Sequence, residues 1–364
     1  MLPQNSALRS GVDDASGRAE WDARSAWDGF RERVEAELDA LLRAEDEAQL
    51  DRRWRVAASE IRTYALRPAK RLRPLLLAVG YGMAAGGPRW PAELVRFSAA
   101  TELLHSFILI HDDVADRADI RRGGPTLHRL LGPGRVGDDL AVVAGDYLFA
   151  HSLESMLRTG LPHAPRAAIY YLGVCRHTAV GQFLDLELSR APLDRVALRS
   201  VLRVALLKTA KYGFVAPLSC GAVLAGARPG LLEVLERVGR CAGLAFQLRD
   251  DILGLFGDAR LSGKGASADF AQGKRTFPVV AAYVRAPPQA RRELESLWSL
   301  RTEDPLAVAR ARLLVERHGG LAATERAVAR MTRCARAAVS TLPPANGVRS
   351  FLDNTLRLLE RREG

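Results

Sequence analysis

The sequence predicts an all-α protein in which long helices form a single domain. Apolar residues recur at steps of three and four along most of the chain, which is the spacing of one helix face. No segment has the apolar–polar alternation of a convincing β-strand, and no unit repeats at a fixed period. The middle of the 364 residues also contains no Pro/Ser-rich linker. We therefore expect largely apolar helices packed around a common centre.

The elements follow from the same spacing, in order from the N-terminus. Residues 1–28 are polar and aperiodic, which predicts a flexible leader before a single helical domain at 29–364. A helical pattern begins at about Trp27 and continues to Ala65. Further helices are expected at about 91–116, 138–159, 163–189, 194–226, 229–257, 276–285, 288–300, 304–317, 320–341 and 347–362, with Gly/Pro turns at 86–88, 123–125 and 132–134.

Composition excludes several classes of protein. Hydrophobic residues make up 48% of the chain and charged residues 26%, which rules out a disordered chain. The apolar runs end well short of the about 18–20 residues of a transmembrane helix, and the N-terminus has no apolar signal core. Four scattered cysteines without CxxC spacing fit reduced thiols. The sequence therefore predicts a cytoplasmic protein without a transmembrane segment.

The basic residues divide unevenly between arginine and lysine. Of 53 basic residues only five are lysines, namely Lys70, Lys208, Lys211, Lys264 and Lys274. Drift from lysine to arginine in a GC-rich genome accounts for the arginines, so the lysines mark candidate positions for a compact ammonium group. The net charge of +11 raises the question of nucleic acid. We do not expect that partner, because no zinc, RRM or basic-helix pattern is present.

Closely spaced aspartates end the helix expected at 91–116. Asp112 and Asp116 lie four residues apart, so their carboxylates project from one helix face, one turn apart. Two such carboxylates repel each other unless a cation lies between them, and partly hydrated Mg²⁺ suits a bridge to phosphate. Taken alone, this pattern also fits a solvated helix end.

A second acidic pair, Asp250 and Asp251, follows another apolar helix. Acidic groups at a helix C-terminus oppose the helix dipole, which makes them costly there without a metal ion. Basic residues lie near both acidic pairs, at 70–73, 121–122, 208, and on either side of Asp269 at Lys264 and Lys274. Diphosphate fits this combination, because metal bridges its oxygens, arginine binds it bidentately and lysine acts as a point charge.

Taken together, these motifs resemble the trans-isoprenyl diphosphate synthases of the polyprenyl synthetase family, most closely the bacterial geranylgeranyl diphosphate synthases. The resemblance covers about residues 30 to 360. Any one motif alone is weak evidence for this resemblance, but the order and spacing of the motifs are highly specific. They are KRLRP at 70–74, ELLHSFILIHDDVAD at 102–116, RRGGPT at 121–126, AGDYL at 144–148, GQFLDLEL at 181–188, LKTAKY at 207–212, FQLRDDILG at 246–254 and GKGASADFAQGKRT at 263–276.

The resemblance implies an isoprenoid-synthase fold around a central tunnel, a homodimer, and three Mg²⁺ ions per active site. Its implied substrates are isopentenyl diphosphate and allylic prenyl diphosphates. Metal would be held by Asp112, Asp116 and Asp250, with Asp113, Asp185 and Asp251 close behind. Isopentenyl diphosphate would be bound by Lys70, Arg73, His105 and Arg122, and the allylic diphosphate by Arg121, Lys208, Thr209, Gln247, Lys264 and Lys274. The catalytic residues implied are Asp112, Asp116, Asp250 and Lys208.

The implied reaction is an electrophilic head-to-tail condensation that releases pyrophosphate and repeats until the product meets the tunnel floor. Phe107 and Ile108 lie five and four residues before Asp112, one helical turn below the metal site. In the family an aromatic residue at the first of these positions limits chain length, which favours the twenty-carbon product, geranylgeranyl diphosphate. Fifteen-carbon farnesyl diphosphate is the alternative, and Phe107 also fits ordinary core packing.

Two positions depart from the family pattern and leave alternatives open. Gly254 replaces the last aspartate of the second motif, and Asp258 is a candidate substitute for the missing carboxylate. Pro68-Ala69 replaces the usual paired glycines, which predicts a stiffer loop at the isopentenyl diphosphate site. A non-catalytic partner subunit, which typically loses one aspartate motif, stays possible. A class I terpene cyclase is disfavoured, since its Asn/Asp-x-x-Ser/Thr-x-x-x-Glu motif is not found after residue 200.

Overall fold

A computed structural model of the chain describes residues 23–43, 51–257 and 268–360. Helices dominate these residues, so the all-α prediction is confirmed. The α-helices are α1 (Ala23–Arg43), α2 (Arg52–Ala65), α3 (Leu72–Ala85), α4 (Ala92–Asp116), α5 (Leu127–Leu131), α6 (Gly134–Leu157), α7 (Ala164–Leu188), α8 (Leu198–Val204), α9 (Ala216–Leu224), α10 (Pro229–Phe256), α11 (Ala268–Ala271), α12 (Phe277–Arg285), α13 (Pro288–Leu300), α14 (Pro305–Arg317), α15 (Gly320–Ser340) and α16 (Val348–Glu360).

Three further elements interrupt this series. A 3₁₀ turn covers Leu193–Arg195, and a π-helical segment covers Ala205–Val215, between α8 and α9. Two short strands, β1 (Ile120–Arg121) and β2 (Gly124–Pro125), pair antiparallel as a hairpin directly after α4. The apolar–polar pattern did not predict this hairpin, because strands of two residues are too short to show an alternation.

The long central helices are packed in pairs around a common interior. Helix α4 packs against α6, α3 against α9, and α10 against both the π-helical segment and α15. Side chains such as Phe97, Leu103 and Tyr171 are fully buried between these helices. The C-terminal helices α12 to α15 form a second core with the end of α10, where Phe270 meets Trp298 edge to face at 4.9 Å.

The N-terminal boundary differs from the prediction. Helix α1 begins at Ala23, and Trp27 is buried, with its ring 3.8 Å from Phe351 and 4.6 Å from Trp90. The prediction of a leader up to residue 28 is therefore wrong for residues 23–28, because an aromatic side chain that packs in the core extends the helix backwards. Residues 1–22 lie outside the described part of the chain.

The helix predicted from Trp27 to Ala65 is two helices in the structure, α1 and α2. Asp51 starts the second one, since its carboxylate accepts a hydrogen bond from the backbone N–H of Arg53 at 2.6 Å, as an N-cap does. From Ala92 onwards most predicted helices agree with the structure to within a few residues. The single helix predicted at 194–226 is instead a 3₁₀ turn, α8, the π-helical segment and α9, and the short helices α5 and α11 were not predicted. In the part of the chain that the structure describes, every helix is too short or too polar to cross a membrane.

Candidate active site

The central helices surround a cavity of about 1230 Å³. Its wall brings together most of the residues that the sequence singled out. Apolar side chains, including Phe149 and Leu172, share the wall with charged ones. The predicted site residues that line it are Lys70, Arg73, His105, Phe107, Ile108, Asp112, Asp185, Lys208, Thr209, Gln247, Asp250, Asp251 and Lys274.

Two lysines bind the carboxylates at this cavity. Lys208 Nζ lies 3.2 Å from Asp112 Oδ1 and 2.8 Å from Asp185 Oδ2, and Lys274 Nζ lies 2.9 Å from Asp116 Oδ2. Burial alone would lower the pKa of each ammonium, but the adjacent carboxylates raise it above its usual value. Both lysines therefore stay charged; Lys208 neutralises Asp112 and Asp185, which line the cavity, and Lys274 neutralises Asp116, which does not.

The backbone of Lys274 is fixed by a tryptophan of the second core. Trp298 Nε1 donates a hydrogen bond to the Lys274 carbonyl at 3.0 Å, and Trp298 itself is fully buried. The ammonium group of Lys274 is thus presented to Asp116 from a rigid position.

Two glycines allow the helices that carry the polar residues to approach each other. A Cβ on Gly181 would lie 2.6 Å from the backbone nitrogen of Lys208, so only glycine lets α7 contact the π-helical segment there. Asp185, which binds Lys208, lies one turn beyond Gly181. A Cβ on Gly243 would lie 2.6 Å from the Cβ of Ala210, which sets the approach of α10 in the same way.

One turn beyond Gly243, Gln247 joins the residues of the π-helical segment to those of α10. Thr209 Oγ1 donates to Gln247 Oε1 at 2.6 Å, and Gln247 Nε2 donates to Asp251 Oδ1 at 2.8 Å. The backbone N–H of Phe277 also donates to Asp251 at 3.1 Å, so this carboxylate caps the start of α12. Burial raises the pKa of Asp251 to about 7.

The π-helical geometry has a local cause in the sequence. Ala216 N–H bonds to the carbonyl of Lys211, five residues back, and Pro217 follows without an N–H of its own. π-Helical turns within α-helices are frequent at functional sites, and here the π-helical geometry continues over eleven residues. Here the segment carries both Lys208 and Thr209.

A cluster of cations forms another part of the site. Arg73 lies 4.9 Å from the centre of the Tyr212 ring, and Arg73 and Lys70 both line the cavity. Burial, together with the charges of Arg73 and Arg122, holds the pKa of His105 well below its usual range, so its imidazole is neutral. Burial also lowers the pKa of Arg122. An anion bound among these groups would relieve their mutual repulsion.

Asp113 departs from its predicted role beside the metal. Its side chain is fully buried and does not line the cavity; it accepts hydrogen bonds from the Tyr64 hydroxyl at 2.8 Å and from Arg121 Nε at 2.7 Å. Successive residues on a helix point about 100° apart, so Asp113 faces away where Asp112 faces inward. The structure thus gives Asp113 the task of holding Arg121.

Replacing Asp113 with asparagine is expected to lower the free energy of unfolding by about 3 kcal/mol, because the largely buried Arg121 loses its charge partner. Urea unfolding followed by circular dichroism measures this change. Asp119→Asn is the matched control, since its ion pair with Arg129 is exposed and is worth less than about 1 kcal/mol. Equal losses in the two variants would contradict this role of Asp113.

The position of Gly254 shows what takes the space of the missing aspartate. A Cβ on Gly254 would collide with the carboxylate of Asp269, which also lines the cavity. Asp269 was noted in the sequence only as the residue between two lysines, and its proximity to Gly254 has no local sequence signal. Asp258 and Lys264 lie outside the described residues.

Sequence reasoning also missed Gln182. Its side chain lines the cavity, and neither its amide oxygen nor its amide nitrogen has a hydrogen-bond partner among the described residues, although both atoms are buried. The sequence feature that could have identified Gln182 is its position three residues before Asp185, within the motif GQFLDLEL.

The donor set at the cavity suits magnesium. Within residues 23–43, 51–257 and 268–360, no three His, Cys, Asp or Glu side chains lie close enough together to enclose a metal ion. Mg²⁺ does not need such a cage, since it is usually bound by one or two carboxylates together with water and substrate phosphates. Asp112, Asp116, Asp185 and Asp250 supply only hard oxygen ligands from three helices, and they fit that mode of binding.

Comparisons with known proteins agree with this geometry. The model of the polyprenyl synthetase family matches residues 56–314. The chain is 36% identical to the short chain isoprenyl diphosphate synthase of Methanothermobacter thermautotrophicus over 69% of this chain and 73% of that one. It is 36% identical to the geranylgeranyl diphosphate synthase of Mycobacterium tuberculosis over 74% of each chain.

A solved structure is similar over almost the whole length. Geranylgeranyl pyrophosphate synthase from Corynebacterium glutamicum, complexed with isoprenyl diphosphate and magnesium, superposes with a TM-score of 0.84 at 28% identity. The match covers 92% of this chain and 99% of that one.

Proposed function

The chain belongs to the polyprenyl synthetase family and is a prenyltransferase of the short-chain isoprenyl diphosphate synthase class, and we propose that it condenses isopentenyl diphosphate with allylic diphosphates to make geranylgeranyl diphosphate. One observation carries the proposal. A single cavity joins carboxylates paired with lysines, a separate cluster of cations, and an apolar wall. Two diphosphates and one growing hydrocarbon chain need these three environments.

In this proposal the allylic diphosphate lies beside Lys208 and Lys274, whose ammonium groups bind its oxygens. Thr209 and Gln247, which line the same cavity, would also bind this diphosphate. Isopentenyl diphosphate is bound by Lys70, Arg73 and Arg122, with neutral His105 as a hydrogen-bonding partner. Holding the two substrates in one cavity converts a bimolecular encounter into a reaction between aligned neighbours.

The proposed reaction transfers the allylic group from its diphosphate to isopentenyl diphosphate through a carbocation. The bond between the allylic carbon and the diphosphate oxygen breaks, and the pyrophosphate leaves with the electron pair. The electrons of the isopentenyl diphosphate double bond then form the new carbon–carbon bond, which leaves a carbocation on the isopentenyl unit. An adjacent C–H bond of that unit breaks, its electrons form the new double bond, and the proton passes to the released pyrophosphate. The lysine and arginine charges stabilise the leaving group, and the apolar wall excludes water from the carbocation.

We propose that three Mg²⁺ ions are bound between the carboxylates and the allylic diphosphate. Asp112, Asp116 and Asp250 would hold them, with Asp185 and Asp251 nearby. When bound, Mg²⁺ neutralises the charge that develops on the departing oxygens. The magnesium in the similar Corynebacterium structure supports this assignment.

We prefer an active enzyme to a non-catalytic partner subunit because of the position of Asp269. Gly254 suggested a lost motif, but the carboxylate of Asp269 fills the space next to it and lines the same cavity. This arrangement supports a complete set of acidic groups on the α10 side of the cavity.

The product length is proposed from the apolar wall. The Phe107 ring lies 5.2 Å from Phe149 and 4.7 Å from His111, and Gly145 leaves room for these side chains. Aromatic rings from α4 and α6 thus lie side by side in the cavity wall, which supports a twenty-carbon limit.

Phe107→Ala is expected to shift the main product from twenty carbons to longer chains, because removing the ring opens space beside Phe149. Products are dephosphorylated and separated by chain length in liquid chromatography with mass detection. Ile110→Ala serves as the control, since Ile110 is buried on the same helix but does not line the cavity. An unchanged product pattern for Phe107→Ala would assign this residue to core packing alone.

The function itself is tested by incubating purified protein with Mg²⁺, isopentenyl diphosphate and each allylic diphosphate in turn. We expect a dominant twenty-carbon diphosphate that a chelator abolishes. A fifteen-carbon end product would replace the proposed product while keeping the reaction. No elongation with any starter by well-folded protein would overturn the proposal in favour of a partner subunit or a cyclase.

We also propose that the chain forms a homodimer in the cytoplasm. Apolar side chains are exposed along α6 and α7, and α6 and α7 pack against each other. Val136, Leu140 and Val143 lie on one face of α6, and Val180 and Phe183 on one face of α7, so they form a candidate surface for a second copy. Analytical ultracentrifugation is expected to give twice the monomer mass, and a monomer would contradict the proposal.

A further inference from the structure

We propose that Arg67 is a positioning residue that joins the two turns carrying the cations of the isopentenyl diphosphate site. The first turn connects α2 to α3 and carries Lys70, with Arg73 just beyond it. The second is the β1–β2 hairpin, which carries Arg121 and Arg122. This inference rests on the proposed function, since it concerns how that substrate is bound.

The contact between the two turns runs through one nitrogen of Arg67. Nη1 donates a hydrogen bond to the carbonyl of Arg121 at 2.9 Å and another to the carbonyl of Pro125 at 2.7 Å. These carbonyls belong to opposite strands of the hairpin, so a single side chain ties both strands to the α2–α3 turn. Such charge-assisted hydrogen bonds are stronger than neutral ones.

The neighbours of the guanidinium group are arranged to receive it. Its carbon lies 5.2 Å from the centre of the Tyr64 ring, a cation–π distance. A Cβ on Gly124 would lie 2.8 Å from the same carbon, so glycine is required there for Arg67 to keep this position. Tyr64 in turn donates to Asp113, which binds Arg121.

The hairpin needs an external support. It has two residues in each strand, and a two-stranded hairpin alone is only marginally stable in water. Arg122, at its tip, has a positive φ of 52°, a conformation that costs energy for a residue with a side chain. Without Arg67 the hairpin loses two of the hydrogen bonds that fix it, and the guanidinium of Arg122 loses its defined position.

The α2–α3 turn is fixed on its other side. Arg71, whose side chain is buried, donates to Glu102 at 2.9 Å and to the carbonyls of Ala65 at 3.1 Å and Arg67 at 3.3 Å. Arg121 of the hairpin is itself held to Asp113 of α4, so the contribution of Arg67 is to join the hairpin to the anchored α2–α3 turn. This direction of support predicts that losing Arg67 moves Arg122 more than Lys70.

Arg67→Met tests the inference, because it keeps a side chain of similar length and removes both hydrogen bonds. We expect the KM for isopentenyl diphosphate to rise about tenfold, with kcat and the KM for the allylic substrate changed less than twofold. Calorimetric titration with isopentenyl diphosphate is expected to give a matching loss of affinity. Arg67→Lys is expected to recover part of both, since its ammonium can donate to one of the carbonyls.

Gly124→Ala tests the same contact from the hairpin. Gly124 does not have a positive φ, and the added methyl group meets only the end of the flexible Arg67 side chain, so the fold tolerates it. We expect a similar rise in KM and no further rise in the double variant with Arg67→Met. This variant carries the test if Arg67→Met does not fold.

Arg291→Met is the matched control. Arg291 also donates to two backbone carbonyls, those of Ala286 and Val284, and lies over the Tyr283 ring, but it does not line the cavity. Its KM values are expected to stay at the wild-type level. The inference is overturned if the wild type elongates while Arg67→Met and Gly124→Ala both keep its KM for isopentenyl diphosphate or lose only kcat. In that case the proposed function stands. If the wild type does not elongate at all, the proposed function fails first.

Discussion

Replacing Asp112 with asparagine is expected to lower the rate of chain elongation about a thousandfold at saturating substrate and Mg²⁺. The substitution keeps the size of the side chain and removes the charge that faces the cavity. The remaining amide does not compete for a hard cation as a carboxylate does. The loss is expected in kcat, because the charge matters most when the allylic bond breaks.

Initial rates of isopentenyl diphosphate incorporation measure this effect, with mass spectrometry to detect residual product. Asp139→Asn is the matched control, since Asp139 is an exposed residue of α6 that forms only a surface ion pair with Arg135. Residual activity of Asp112→Asn within tenfold of the wild type would contradict the role of Asp112.

Lys208→Met is expected to lower elongation about a hundredfold and to destabilise the metal-free protein. Its ammonium neutralises Asp112 and Asp185 from two helices, and all three groups are largely buried. Without Lys208 the carboxylate of Asp185 loses this ion pair and Asp112 keeps Arg121 at 3.6 Å, a change that costs about 2 kcal/mol. Added Mg²⁺ together with pyrophosphate is expected to restore more stability in the variant than in the wild type, because the ion takes the place of the missing charge.

Thermal unfolding with a chelator and with Mg²⁺ and pyrophosphate measures the second effect independently of turnover. Lys211→Met is the matched control, because Lys211 lies one turn further along the same helical segment and contacts His177 in place of a carboxylate. A stability loss for Lys208→Met that ligands do not reverse would assign the residue to the fold alone.

Much of the fold could be predicted because helix periodicity is a local property. Helices α13 to α15 each bury one stripe of side chains, and their bounds follow from that stripe. The burial of Trp27 could not be predicted, because its partners Phe351 and Trp90 are distant in the sequence. The π-helical segment also escaped prediction, since an extra residue per turn leaves no distinct apolar pattern.

The candidate site also has features that the sequence predicts and others that depend on packing. Asp112 and Asp116 were identified from spacing within one helix. The lysine partners of these carboxylates depend on how α4, α7 and the π-helical segment pack, which sequence spacing does not specify. The resemblance placed Asp113 close behind the metal ligands, but its contacts with Tyr64 and Arg121 could not be read from the sequence. The carboxylate of Asp269 lies next to Gly254 only because the chain folds. The same is true of the contact between Arg67 and the hairpin.

The pairing of lysines with carboxylates has a consequence for the order in which ligands arrive. A metal ion that binds alone must displace an ammonium group and leave that ammonium without an anion. An ion that arrives with diphosphate provides the displaced lysine with a new anionic partner. Metal and diphosphate should therefore bind with positive cooperativity, and by linkage each should raise the affinity for the other by the same factor. In kinetic assays the apparent affinity for the allylic substrate would then rise with the concentration of free Mg²⁺.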